Sequence, residues 1–156
     1  QALMKKFLII LVLLVGVLGT SAYLFFKPQA QEDFLSAEDV GANLTPLPCD
    51  MNAEHSCGVE FRGKTVKFSL SPKPVYTMQP TIVRIEGLEG FKNPSLEIHG
   101  VNMDMGVIKA EVEKRDNAYI SNIVLSACLI NIMRYRFEVL ENGKKSGLYI
   151  DFDLHQ

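Results

Sequence analysis

The sequence predicts a mainly β protein, an immunoglobulin-like antiparallel β-sandwich preceded by a single transmembrane helix. Two observations lead to this prediction: an uncharged apolar run near the amino end, and stretches after residue 59 in which apolar and polar residues alternate. Turn-forming residues separate the alternating stretches, as is typical of two facing sheets. Because the chain has no tryptophan, the prediction concerns the architecture and not the lineage of antibody domains.

The apolar run spans residues 7–26, carries no charge and lies between Lys5-Lys6 and Lys27. Such a run is long enough to cross the roughly 30 Å hydrocarbon layer as a helix rising about 1.5 Å per residue. The paired lysines before it, against one lysine and then acids after it, favour a cytoplasmic position for residues 1–6. We therefore expect a single-pass protein of a bacterial inner membrane with its carboxyl-terminal domain in the periplasm.

A cleaved secretory signal is the alternative to an anchor, because Thr20 to Ala22 offers a small-residue cleavage site. Tyr23 to Phe26 restores apolar character beyond that point, which an anchor needs and a signal peptide does not. The uncleaved anchor is favoured. Met4 to Lys6 resembles a bacterial translation start, so residues 1–3 are expected to be an upstream extension or a cloning remnant.

The net charge of the part of the chain after the anchor argues against nucleic-acid binding. All 18 acidic residues but only 13 of the 16 basic residues lie after residue 30, which leaves this part with a formal charge of −5. An acidic domain is a poor partner for nucleic acid. Residues 27–48 contain three prolines and no sustained periodicity, which predicts a linker. Residues 49–156 are then expected to form the periplasmic β-sandwich domain.

Alternation with a period of two predicts half-buried strands in that domain. The clearest case is the last one, where Leu148, Ile150, Phe152 and Leu154 alternate with polar or outward residues. Asn142-Gly143 precedes it and is a typical pair for a tight hairpin turn. The predicted strands cover residues 58–62, 66–70, 81–86, 95–100, 107–114, 119–125, 135–139 and 148–154.

Three cysteines matter in an exported domain, which is exposed to oxidising conditions. Cys49 and Cys57 enclose seven residues rich in turn formers, so a disulfide would join the linker to the first strand. A redox-active or metal-binding pair is the alternative, because Met51 and His55 lie in the same loop. Cys128 remains unpaired and is either a small core residue or a metal ligand.

The strongest chemical signal is the pair Met103 and Met105. Thioethers bind Cu(I), and two residues apart on a strand they project from the same face. The competing interpretation is that both methionines fill gaps in an apolar core. Further candidate copper ligands are Met78, His99, Cys128 and Met133.

The order of these features resembles small bacterial membrane proteins of the FixH-like and YtkA-like families. The resemblance covers the layout from Lys5 to Leu140 and depends on the anchor, the short β domain, Met103-Asp104-Met105-Gly106 and the Leu125 to Cys128 step into a strand. It implies an immunoglobulin-like periplasmic domain connected with copper handling or with assembly of haem-copper respiratory oxidases. It also implies copper ligation by the two methionines and a Cys49 to Cys57 bridge. The absence of tryptophan and of a histidine soon after Met105 departs from the pattern.

Catalysis is not expected. The histidines, His55, His99 and His155, lie in no recognisable nucleophile motif. The glycine pair at residues 87–90 lacks the lysine and hydroxyl residue of a phosphate loop. Two hypotheses remain, and neither requires a cofactor other than Cu(I). In the first, the protein is an accessory or assembly subunit of a larger inner-membrane complex, such as a haem-copper oxidase. In the second, it binds Cu(I) and delivers it.

Overall fold

The computed structural model describes residues 4–6, which are helical, and residues 44–156. Within these residues, no helix is long and apolar enough to cross a membrane. The predicted anchor at residues 7–26 and most of the predicted linker lie outside the described residues. The last five linker residues, 44–48, contain no helix or strand.

The described part of the domain is mainly β, as predicted, and every strand pairing in it is antiparallel. The period-two pattern that places alternate side chains on one face is clear in strands such as Lys64–Ser71 and Pro80–Glu86. The strands are β1 Cys57–Phe61, β2 Lys64–Ser71, β3 Pro80–Glu86, β4 Pro94–Gly100, β5 Val107–Glu111, β6 Glu113–Arg115, β7 Ala118–Val124, β8 Ile132–Glu141 and β9 Lys144–His155.

The strands form two sheets. One has five strands in the order β1-β2-β3-β7-β6, and the other has four in the order β5-β4-β8-β9. The predicted strand 107–114 was wrong as a single element, because Val112 divides it. The part before Val112 pairs with β4, whereas the part after it pairs with β7 in the other sheet. The chain thus changes sheets at this residue.

The inward faces of the two sheets share one hydrophobic core. Phe68 and Ile85 contribute from the five-stranded sheet, and Phe137 and Phe152 from the four-stranded sheet, all fully buried. The rings of Phe137 and Phe152 lie 6.3 Å apart between centroids. Fully burying such a side chain contributes about 1.5–3 kcal/mol, so this common core holds the two sheets face to face as in a β-sandwich.

The turn between β8 and β9 is the predicted Asn142-Gly143 pair. Both residues have positive φ, 51° at Asn142 and 73° at Gly143. These angles match the right-handed twist of the strands that the turn joins. The hairpin therefore confirms the predicted turn. The turn sets the pairing of Leu140 with Lys145, and an irregularity between Glu138 and Leu140 shifts the register of the remaining pairs.

The sulfur atoms of Cys49 and Cys57 lie at disulfide distance, and the two Cα atoms are 5.9 Å apart. The bond closes the loop in which Met51 is buried in the core and His55 is exposed. Within the loop, Asp50 accepts hydrogen bonds from the backbone N–H groups of Asn52 and Glu54. The bridge thus joins the last described residues of the linker to β1, as predicted.

Replacing both bridge cysteines by alanine is expected to lower the free energy of unfolding by about 2.5 kcal/mol. This is the chain-entropy estimate for so short a closed loop. Chemical denaturation of the oxidised protein measures the change, with Cys128→Ala as a control that leaves the bridge intact. An unchanged midpoint for the double variant would show that the bridge does not constrain the unfolded chain.

Candidate functional site

Three connections meet at one end of the domain, here called the loop end. The backbone N–H of Met78 donates to Leu125 O at 2.8 Å, and the hydroxyl of Tyr135 donates to Ser126 O at 2.6 Å. The first bond joins two loops beside the five-stranded sheet, and the second joins the loop after β7 to β8 of the four-stranded sheet. The loop end consists of residues 72–79 between β2 and β3, 101–106 between β4 and β5, and 125–131 between β7 and β8.

Met103 and Met105 lie in a loop of this end and not on a strand, which corrects the sequence prediction. The reason is local turn chemistry: Gly106 has a φ of 74°, and its N–H donates to Asp104 Oδ1 at 2.9 Å. Both methionines are half-buried and pack against the core. Their thioethers are therefore neither fully in the core nor displayed on a strand face.

Asn102 holds this methionine loop against β8. Its Oδ1 accepts a hydrogen bond from the backbone N–H of Arg134 at 2.9 Å, and its Nδ2 donates to Ile132 O at 2.8 Å. The loop also passes so close to Gly100 that a Cβ there would overlap Met103 O and the terminal methyl of Met133. The backbone of the loop is thus fixed although it forms no strand.

The structure brings some of the predicted copper ligands together and separates others. His99 and Met105 both line a small cavity of about 10 Å³. Met133 is fully buried in the core beside Gly100. Cys128, a half-buried free thiol, and the exposed Met78 lie on the two other loops of the end.

Tyr135 connects the loop at residues 125–131 to the core. Only 1% of the residue is exposed, and its hydroxyl donates to Ser126 O. Burial disfavours the phenolate and raises the pKa of Tyr135 to about 12. The neutral hydroxyl therefore stays a hydrogen-bond donor well above neutral pH.

Arg134 holds the incoming chain, the segment at residues 44–48 that leads into the domain, at the loop end. Its guanidinium donates two hydrogen bonds to Asp153, at 2.7 and 2.8 Å, and a third to Thr45 O at 2.6 Å. The bond to Asp153 raises the pKa of Arg134 above its usual value, so the side chain remains charged. Residue 45 is thereby held on the four-stranded sheet, close to where β8 begins.

The loop end carries most of the large apolar side chains that are exposed in the described residues. Tyr76 is 61% exposed and Leu129 is 92% exposed. Beside Tyr76 lies a groove of about 740 Å³ lined mainly by prolines and β3 residues. We call the set the apolar surface; its members are Tyr76, Met78, Ile82, Val101, Val107, Val124 and Leu129. Concentrated apolar exposure of this kind marks interaction sites.

Sequence patterns missed the apolar surface. Its members come from three loops and the strand ends beside them, which only the fold brings together. A weak signal was present, because Tyr76 and Met78 occur in a proline-rich turn segment where polar residues are typical.

Comparisons with known proteins give no relative from which a function can be taken. No family model, curated protein or solved structure matches this chain. The resemblance to FixH-like and YtkA-like proteins therefore stays a prediction.

Tyr135→Phe is expected to lower the free energy of unfolding by about 1 kcal/mol at neutral pH, through loss of the hydrogen bond to Ser126. The folded pKa of Tyr135, about 12, lies above the ordinary value of 10.0. The stability that Tyr135 contributes is thus complete below pH 10 and is lost as the pH rises toward 12.

Urea denaturation across this range should show the free energy of unfolding of the wild type falling toward that of the variant. Tyr149→Phe, at an exposed position, is the matched control and should keep the wild-type slope. A constant gap between wild type and Tyr135→Phe would contradict the prediction.

Proposed function

We propose that the protein is a single-pass inner-membrane protein whose periplasmic domain, an immunoglobulin-like β-sandwich, acts as an accessory or assembly subunit of a membrane complex. The observation that carries this proposal is the apolar surface at the loop end. The same end receives the incoming chain through the contact between Arg134 and Thr45. An apolar contact surface and the attachment to the proposed anchor thus lie together.

The length of the linker supports this arrangement. Residues 27–43 separate the proposed anchor from the first described residue of the domain. Seventeen residues span at most about 60 Å when fully extended. A domain tied at residue 45 therefore keeps its loop end within reach of proteins in the same membrane.

The chemistry of the apolar surface suits a protein partner. Aromatic and methionine side chains are enriched at the centres of interfaces, where they bury large areas. Tyr76 and Met78 supply these types, and the loops that carry them are fixed by backbone hydrogen bonds such as Met78 N to Leu125 O. A surface ordered before binding loses less entropy on association.

The class of complex follows from the resemblance stated above. Proteins with this layout are expected to accompany haem-copper respiratory oxidases, so an oxidase-type complex is the partner we propose. Within the membrane, Gly16 and Gly19 of the proposed anchor would allow close contact with partner helices.

Binding and delivery of Cu(I) is the second candidate function. One observation favours this function: Met105 and His99 line the same cavity. Met103, two residues before Met105, is half-buried. Thioether donors suit Cu(I), and the His99 imidazole could join them only by turning from the outer face of the sheet toward the loop. The cavity is small, about 10 Å³, so the loop at residues 101–106 has to open to admit the ion.

The double variant Tyr76→Ser, Leu129→Ser tests the first function. Truncating central contact residues costs 2 kcal/mol or more, a loss of about 30-fold in affinity. Crosslinking in membranes, extraction in mild detergent and mass spectrometry should recover an inner-membrane complex with the wild type and lose it with the variant. Tyr149→Ser, an exposed aromatic residue away from the loop end, should retain the complex. A wild type recovered without partners, or a variant with an unchanged set, would contradict the proposal.

The double variant Met103→Leu, Met105→Leu tests the second function. Titration of the reduced protein with Cu(I) against a chelator of known affinity should give one ion per wild-type chain. The variant should lose at least about tenfold in affinity, since thioether donors are removed without a large change in volume. Met78→Leu, on another loop, should bind like the wild type. Equal affinity in the wild type and the double variant would exclude this site.

A further inference from the structure

We propose a binding site for a divalent transition metal, of the Zn²⁺ class, on the outer face of the four-stranded sheet. Its ligands are Glu97 and His99 on β4 and Glu138 on β8. Glu97 and His99 are two residues apart and share a face, and Glu138 lies directly opposite Glu97 in the strand register. One ligand atom from each residue lies within 4.8 Å of the other two. Ligands about 2.0–2.2 Å from a shared ion are separated by up to roughly 4 Å, so small side-chain rotations complete the site.

The donor set selects the kind of ion. One imidazole nitrogen and two carboxylates match the mixed nitrogen and oxygen ligation of Zn²⁺. Ca²⁺ and Mg²⁺ favour oxygen donors alone, and Cu(I) favours sulfur. Three protein ligands leave a fourth tetrahedral position for water or for a group from another molecule.

The charges at the site independently favour a cation. Glu97 and Glu138 face each other across the strands, and like charges in directly opposite positions destabilise a sheet. Glu138 is only 8% exposed, where an incompletely compensated carboxylate is costly. Among the described residues, the ion pair given for Glu138 is the one with Lys145, whose Nζ lies 3.0 Å from Oε2.

Other cations near the cluster do not compensate both carboxylates. Lys109 lies opposite Glu97 on β5, but no ion pair joins the two in the described residues. Arg136, opposite His99, is bound through two hydrogen bonds to Asp151. Lys145 has a side chain that is 63% exposed, so an entering metal displaces it into water at little cost. The neighbouring cations therefore do not fully neutralise the two carboxylates of the cluster.

Calorimetric titration of the full chain in mild detergent with Zn²⁺ tests the site. The wild type is expected to bind one ion per chain. Glu97→Gln and Glu138→Gln should each weaken binding at least about tenfold, because losing even an outer-shell partner of a metal ligand costs roughly 10–100-fold in affinity. Matched controls are Glu111→Gln on β5 and His55→Gln in the disulfide loop, and both should bind like the wild type.

Co²⁺ provides a second readout, because its visible absorption reports coordination number. A low-coordinate spectrum with the wild type, lost in Glu97→Gln, is expected. If Glu138→Gln fails to fold, the half-exposed Glu97 position keeps the test decisive. The Met103→Leu, Met105→Leu variant should retain Zn²⁺ binding, which separates this site from the proposed copper site. No stoichiometric Zn²⁺ binding by the wild type, or unchanged binding by Glu97→Gln, would overturn the proposal.

Discussion

The register of β8 is the constraint on which the rest of the domain depends. Phe137 and Val139 point into the core, whereas Arg136 and Glu138 lie on the outer face. A shift of one residue would exchange the two sets and place charges in the core. Burying even one charge without its partner costs roughly 3–5 kcal/mol. Both faces of the strand therefore specify the same pairing with β4 and β9.

The outer face reinforces this register with its own contacts. Arg136 forms two hydrogen bonds to Asp151 and lies 4.0 Å from the centre of the Tyr149 ring. A paired guanidinium over an aromatic face gains both electrostatic and stacking energy. Because these partners come from β9, they hold β8 and β9 in the register that follows the irregularity between Glu138 and Leu140.

Contacts at the start of β8 also hold the loop end in place. Arg134 contacts Asn102 through its backbone and Thr45 through its side chain. One strand thus fixes the incoming chain and the methionine loop together. The loops that carry Tyr76 and Leu129 are joined to each other by the bond from Met78 N–H to Leu125 O, so these apolar side chains can remain in water on an ordered backbone.

The sequence predicted the strands well because burial on one face leaves a local pattern. The turn at Asn142-Gly143 and the close spacing of Cys49 and Cys57 are local in the same sense. The change of sheet at Val112 leaves no such pattern, since it depends on which strand lies alongside. The predicted strands ended at residue 100 and resumed at residue 107, but the expectation that Met103 and Met105 share a face assumed strand geometry, which this loop between Gly100 and Gly106 does not have.

The candidate sites were harder to predict because they combine distant segments. Glu138 is remote in sequence from Glu97 and His99, and only the β4–β8 register brings the three together. Likewise, the apolar surface joins three loops. The residue pattern of a single segment therefore cannot predict either arrangement.

The position of His99 bears on the choice between the two proposed functions. Along β4 the inward residue is Ile98, so the side chains of His99 and Glu97 share the outer face. One ligand atom of the His99 ring lies within 4.8 Å of a carboxylate oxygen of each of Glu97 and Glu138. Cu(I) at Met103 and Met105 would have to draw this ring away from its acidic neighbours or be held by sulfur alone. The copper hypothesis thus requires a rearrangement of both a loop and a strand end. The accessory-subunit hypothesis requires only the surface that the fold already exposes, and for that reason we favour it.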